Sequence, residues 1–230
     1  MYILLAFIVL LYIVMIAVTI KYMYRLDQKK YTVAKTATSI GFLAIGLISY
    51  IISGQDIYLA FLPAYLFCLV GDVLLALCNE IENKLKNPQF TLGVVSFAFA
   101  HIFIIREFGK ILSWKISPFW IVFSAGLLIY TIITVTLKKE KFCYGSNAVP
   151  SCIYAAVVGL CGGMGLDIIW NLGDYLFCLV LGAGSVFFMI SDFILANKYF
   201  RISKKAWFGG AVMIFYYGAM GMLSIFTVLI

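Results

Sequence analysis

Hydrophobic positions along this 230-residue chain gather into long blocks rather than alternating with polar ones. Eight blocks can be drawn, at 2–20, 35–53, 57–78, 89–108, 116–137, 147–168, 174–197 and 207–229. Each is close to the roughly 20 residues that a helix needs to cross a hydrocarbon core of about 30 Å. The connections between blocks are short and no soluble domain is appended to them. The pattern predicts an all-α membrane protein: a single transmembrane domain over residues 1–230, built as a bundle of eight transmembrane helices. No basic residue precedes the first block and no small-x-small cleavage site follows it, so the first helix is expected to be retained.

Composition narrows this further. The chain is 64% hydrophobic and 12% charged, against about 45–50% and about 25% in soluble domains, which excludes that class. The net charge of +7 reads as topology rather than as nucleic-acid binding. Of 17 Lys and Arg, 14 fall in the connections after the odd-numbered blocks, among them Lys21, Lys84, Lys138 and Lys198; the other 3 are Arg106, Lys110 and Lys115. The positive-inside rule then puts those connections in the cytoplasm and both termini on the non-cytoplasmic side. Tyr2, Tyr58, Trp114, Trp120, Trp170 and Trp207 lie near block ends and suit an interfacial belt. The six cysteines lie mostly within apolar blocks without CxxC or Cys/His spacing, where cysteine behaves as a small hydrophobe. Neither a disulfide framework nor a metal or other cofactor is expected.

Polar groups inside the blocks carry the functional signal, because a carboxylate at a helix centre costs about 2.5–3.5 kcal/mol on insertion scales. Asp72 lies six residues before Cys78 and Asp192 five before Asn197, or about 9 Å and about 7–8 Å from the inner ends at the helical rise. The two acids therefore share a depth on helices that run the same way. Lys35 opens the second block, Tyr130 and Tyr154 approach the same level from the fifth and sixth, and Asn79 closes the third. His101, the only histidine, lies thirteen residues after Pro88, about 20 Å in, deeper than the acids, where it could cap a cavity or join helices. One buried aspartate can be a plain helix–helix anchor. Two at one depth suggest more, because two close carboxylates cannot both ionise cheaply in a low dielectric. One then serves as acid and the other as base. A proton relay in a transporter uses the same residue types, as does a lipid-binding bundle.

The hexapeptide YLFCLV occurs at 65–70 and 175–180, but aligning the acids instead matches GDVLLA (71–76) with SDFILA (191–196) and the third block with the seventh. A four-plus-four parallel duplication would produce that match.

With Lys35 on the second block, CLVGDVLLAL on the third, LGVVSFAFAHIFII on the fourth, Tyr130 on the fifth and LGAGSVFFMISDFILAN on the seventh, the chain resembles the YhhN family, the lysoplasmalogenases. The resemblance runs in order over nearly the whole chain. Thr36 stands where the family often has proline after the lysine. The resemblance implies hydrolysis of the vinyl-ether bond of a lysoplasmalogen, with a fatty aldehyde and a glycerophospho-headgroup as products. Its implied site is Asp72 and Asp192 as the acid–base pair, with Lys35 near the substrate phosphate or tuning a carboxylate. Tyr130, Tyr154, Asn79 and His101 would orient water or headgroup. The implied partner is a lysophospholipid reaching the site laterally from the cytoplasmic leaflet; no protein partner and no nucleic acid are implied.

Overall fold

The computed structural model describes residues 1–78, 85, 87–203 and 205–230. Among them are eight helices: α1 (Tyr2–Tyr24), α2 (Gln28–Ser53), α3 (Ile57–Cys78), α4 (Pro88–Ile111), α5 (Pro118–Thr136), α6 (Ala148–Leu172), α7 (Leu176–Phe200) and α8 (Trp207–Ile225). All eight are long and apolar enough to cross a membrane. The chain closes with a 3-10 turn at Phe226–Leu229. Because consecutive helices must run antiparallel, the lysine-rich connections collect at one end of the bundle, called the basic end below.

Several boundaries differ from the hydrophobic blocks, and two of these differences move the site. Helix α2 begins seven residues earlier than position 35. Asp27 caps it by accepting from the Lys30 backbone N–H at 3.2 Å, a side-chain cap of the usual kind. Gln and Lys are good helix formers, so a polar first turn is helical yet invisible to a hydropathy block. Lys35 therefore lies two turns inside α2 and is buried. Helix α7 continues to Phe200 rather than ending at Asn197, which puts Asp192 eight residues from its last residue, or about 12 Å. The expected aromatic belt also loses two members. Tyr58 stacks between Tyr50 and Tyr65 in the core, and Trp120 is buried with its indole N–H donating 2.9 Å to Asp167 Oδ2. Tyr2, Trp114, Trp170 and Trp207 are exposed.

The helices pack in a pattern that repeats every four. In the first half α1 packs on α2, α2 on α3 and α3 on α4; in the second α5 packs on α6, α6 on α7 and α7 on α8. The halves join through matching contacts, α2 with α8 and α4 with α6. This is the packing that a four-plus-four duplication predicts. The symmetry breaks at the first helix of each half. Helix α1 closes onto α8, and Tyr12 donates 2.7 Å to the Tyr217 carbonyl. Among the described residues, α5 makes no comparable closure onto α4. A gap is left beside α5.

Close helix approach depends on glycines 159 and 163, one turn apart on α6. A β-carbon on Gly159 would fall 2.3 Å from the Phe123 carbonyl oxygen, and one on Gly163 2.5 Å from that of Phe119. Both collisions are with the α5 backbone, which cannot swing aside, as in other small-xxx-small contacts. Gly159→Val is expected to lower stability by about 1–3 kcal/mol, read as a lower thermal midpoint in detergent. Gly126→Ala on α5, where a β-carbon meets nothing within 4 Å, should leave the midpoint unchanged or raise it.

Candidate active site

Asp72 of α3 is wholly buried and held by three donors. The Lys35 ammonium lies 3.0 Å from Oδ1; the Ser39 hydroxyl donates 2.6 Å and the Tyr216 hydroxyl 2.7 Å to Oδ2. Lys35 and Ser39 share a face of α2 at the i, i+4 spacing, and Tyr216 comes from α8. A buried carboxylate with a paired cation and two hydroxyl donors is an anion in a fixed position.

Asp192 of α7 has a different setting. Tyr154 of α6 donates 2.9 Å to its Oδ2. His101 of α4 brings Nε2 to 3.3 Å of the same oxygen. That approach is close but not aligned: Nε2 is a buried nitrogen without a hydrogen-bond partner. On its other side the ring lies 2.8 Å from the Phe97 carbonyl through Nδ1. His101 is thus level with Asp192 and not deeper. Side chains lean toward the N-terminus of their own helix. His101 on α4 leans toward the basic end and Asp192 on α7 leans away from it, so the two meet.

The two acids mirror each other in the repeat. Asp72 takes partners from α2 and α8, and Asp192 takes its partners from α6 and α4. They also share a small chamber whose polar lining includes Lys35, Asp72, Ser191, Asp192, Lys198 and Tyr216, with room for about 20 Å³. A water needs about 10–15 Å³ and polar partners, so the chamber suits one or two waters and no larger molecule. Asp192 additionally lines a second, larger cavity of about 90 Å³ whose walls are mostly apolar, among them Val95, Leu127, Val158 and Phe193. Val95 and Phe193 on its rim are exposed. This cleft occupies the gap beside α5, between α4 and α5, with α6 and α7 behind it. Its position follows from the missing closure of α5.

The other sequence-derived candidates separate. Tyr130 lines the apolar cleft and donates 3.3 Å to Asn197 Oδ1, so it shapes the cleft and not the chamber. Asn79 lies outside the described residues. Two features escaped the reading of the sequence. Tyr216 does so because tyrosine is common at membrane interfaces; its signal is a place in mid-helix, where the hydroxyl must find a partner. Two further buried acids, Asp167 and Glu107, lie toward the end opposite the basic one. Trp120 and Asn171 donate to Asp167, at 2.9 and 2.8 Å; Arg106 and Lys110 engage Glu107, at 2.6 and 2.9 Å. These are satisfied structural pairs. No group of three or more potential metal ligands occurs among the described residues.

Comparison with known proteins links the chain to one family. The family model described as YhhN family matches residues 30–225, which takes in α3–α8, nearly all of α2 and every residue placed in or beside the site. No curated protein and no solved structure gave a match.

Proposed function

The chain belongs to the YhhN family, and from that premise we propose that it is an intramembrane hydrolase cleaving the vinyl-ether bond of lysoplasmalogens. The observation that carries the proposal is the place of Asp192, which borders both a water-sized polar chamber and a lipid-facing apolar cleft. One carboxylate there can reach a substrate bond on one side and a water on the other.

The chemistry needs little else. Asp192, as the carboxylic acid, gives its proton to the alkene carbon; the C=C electron pair forms the new C–H bond and an oxocarbenium-like centre is left. The fixed anion Asp72 stabilises that cation across the chamber. Water from the chamber adds to the centre and gives a proton to Asp72, making a hemiacetal. In its collapse Asp192 takes the hemiacetal hydroxyl proton. The carbon–oxygen bond breaks, and the glycerol oxygen takes the proton from Asp72, delivered through the chamber's water. Aldehyde and alcohol leave and both acids return to their starting states. Lys35 acts here as the fixed counter-charge of Asp72, and its 3.0 Å pairing with that carboxylate favours this role over contact with the substrate phosphate. The alkenyl chain occupies the cleft between α4 and α5, reached sideways from the leaflet at the basic end.

The test is aldehyde release by the protein purified in detergent. A 1-alkenyl lysophospholipid should yield aldehyde, and the matching 1-acyl lipid should yield neither aldehyde nor fatty acid. No aldehyde from the alkenyl lipid, together with lipid-dependent proton flux in liposomes, would replace the hydrolase by a transporter.

A further inference from the structure

We infer that His101 is the proton partner of Asp192: imidazole Nε2 and carboxylate Oδ2 lie 3.3 Å apart, and a turn of the carboxyl group that aligns them lets one proton pass between them. A carbonyl oxygen can only accept, so the 2.8 Å contact with Phe97 puts a hydrogen on Nδ1. The neutral ring then carries a bare lone pair at Nε2. That atom is buried without a hydrogen-bond partner, a rare state for a polar atom in a folded protein. Phe188 lies against the ring with centroids 4.2 Å apart, and Tyr154 meets it edge-on at 5.8 Å.

Charge counting points the same way. The groups that face this pair are Tyr154 of α6, which donates to Asp192, the Lys35–Asp72 pair of α2 and α3 across the chamber, and Lys198 of α7, which lines the same chamber but is only half-buried. Lys35 and Asp72 cancel. A single proton shared by Asp192 and His101 leaves these four buried groups neutral together, on either atom. In one form Asp192 is the acid and Nε2 is bare. In the other the Oδ2–H bond has broken, its electron pair stays on the carboxylate, and the proton is bonded to Nε2. His101 lines neither cavity, so it is a positioning residue that works through Asp192. On the hydrolase reading, from which the catalytic consequence follows, it holds between turnovers the proton that Asp192 recovers from the hemiacetal and returns it to Asp192 for the next.

Because His101 is the only histidine, protein labelled with 15N-histidine gives signals from one ring alone. The expected spectrum is the Nδ1-protonated tautomer, with an Nε2 titration whose midpoint moves in Asp192→Asn. An Nε2-protonated tautomer, or the same behaviour in both proteins, overturns the inference. The kinetic arm uses His101→Gln, which fills the space but cannot carry the proton. Its kcat should fall about tenfold or more, with KM little changed and one limb of the pH–rate profile lost. A pH profile of unaltered shape overturns the relay. If the wild type releases no aldehyde the hydrolase reading fails, and the spectra still decide the proton pair.

Discussion

Asp192→Asn is expected to release aldehyde on the order of 10²–10⁴-fold more slowly than the wild type, the usual worth of a positioned general acid, with little change in stability. The two halves of that expectation have separate causes. Asparagine keeps the size and shape of aspartate, and its carbonyl oxygen can still accept from Tyr154, now 2.9 Å from Oδ2. No permanent cation depends on Asp192 in the way that Lys35 depends on Asp72, because His101 can stay neutral when the carboxyl group is replaced. The fold therefore loses little. An amide, however, has no proton acidic enough to attack an alkene carbon, and protonation of carbon is the step that makes the rest possible. On the proposed function the substrate chain lies against the apolar walls of the cleft, which the substitution leaves unchanged apart from Asp192 itself, so KM should stay close to the wild-type value and the loss should fall on kcat. Aldehyde release with substrate concentration varied, alongside thermal unfolding in detergent, reads both halves. Wild-type kcat in this variant would remove Asp192 from the chemistry.

How much of this could be read from the chain follows from what each residue costs. Asp72 and Asp192 were legible because an acid in an apolar run is expensive wherever it lies, so its presence asks for a reason without any structure. The helix count was legible for the same kind of reason: a span must be apolar over its length. Lys35 was found but misplaced, since the first turns of α2 are polar and a hydropathy block begins only where the lipid does. His101 was found, but its level was misjudged by counting residues along a helix axis. The lean of side chains toward their helix N-termini moves α4 and α7 side chains in opposite directions and closes the difference. Tyr216 was not found, because a tyrosine declares itself only when its partner is known. The cleft was beyond reach. It exists because α1 closes onto α8 while α5 does not close onto α4, and that asymmetry is a matter of helix–helix packing for which no residue type is a marker.

The same asymmetry explains why two acids related by a repeat should behave oppositely when removed. Asp72 lies on the sealed half, under α1 and α8, with all three of its donors buried. Asp72→Asn is expected to lose activity and stability together. The variant leaves the Lys35 ammonium buried without its counter-charge, and breaking a buried ion pair from one side costs about 3–5 kcal/mol. Hydrogen bonds from Ser39 and Tyr216 to a charged acceptor, worth roughly 1.5–3 kcal/mol each, weaken as well. Activity alone then cannot tell a chemical role from a structural one. The double variant Asp72→Asn/Lys35→Met separates them. Methionine fills the space of the lysine stem without the charge, so the uncompensated ammonium is gone and the thermal midpoint should recover most of the loss. Aldehyde release should not recover, because the chamber no longer holds the anion that steadies the oxocarbenium-like centre and accepts the water's proton. A refolded double variant with wild-type turnover would reduce Asp72 to a scaffold and leave the chemistry to Asp192 and His101. A single variant as stable as the wild type would show that Lys35 does not need its partner, against the geometry of the 3.0 Å pair.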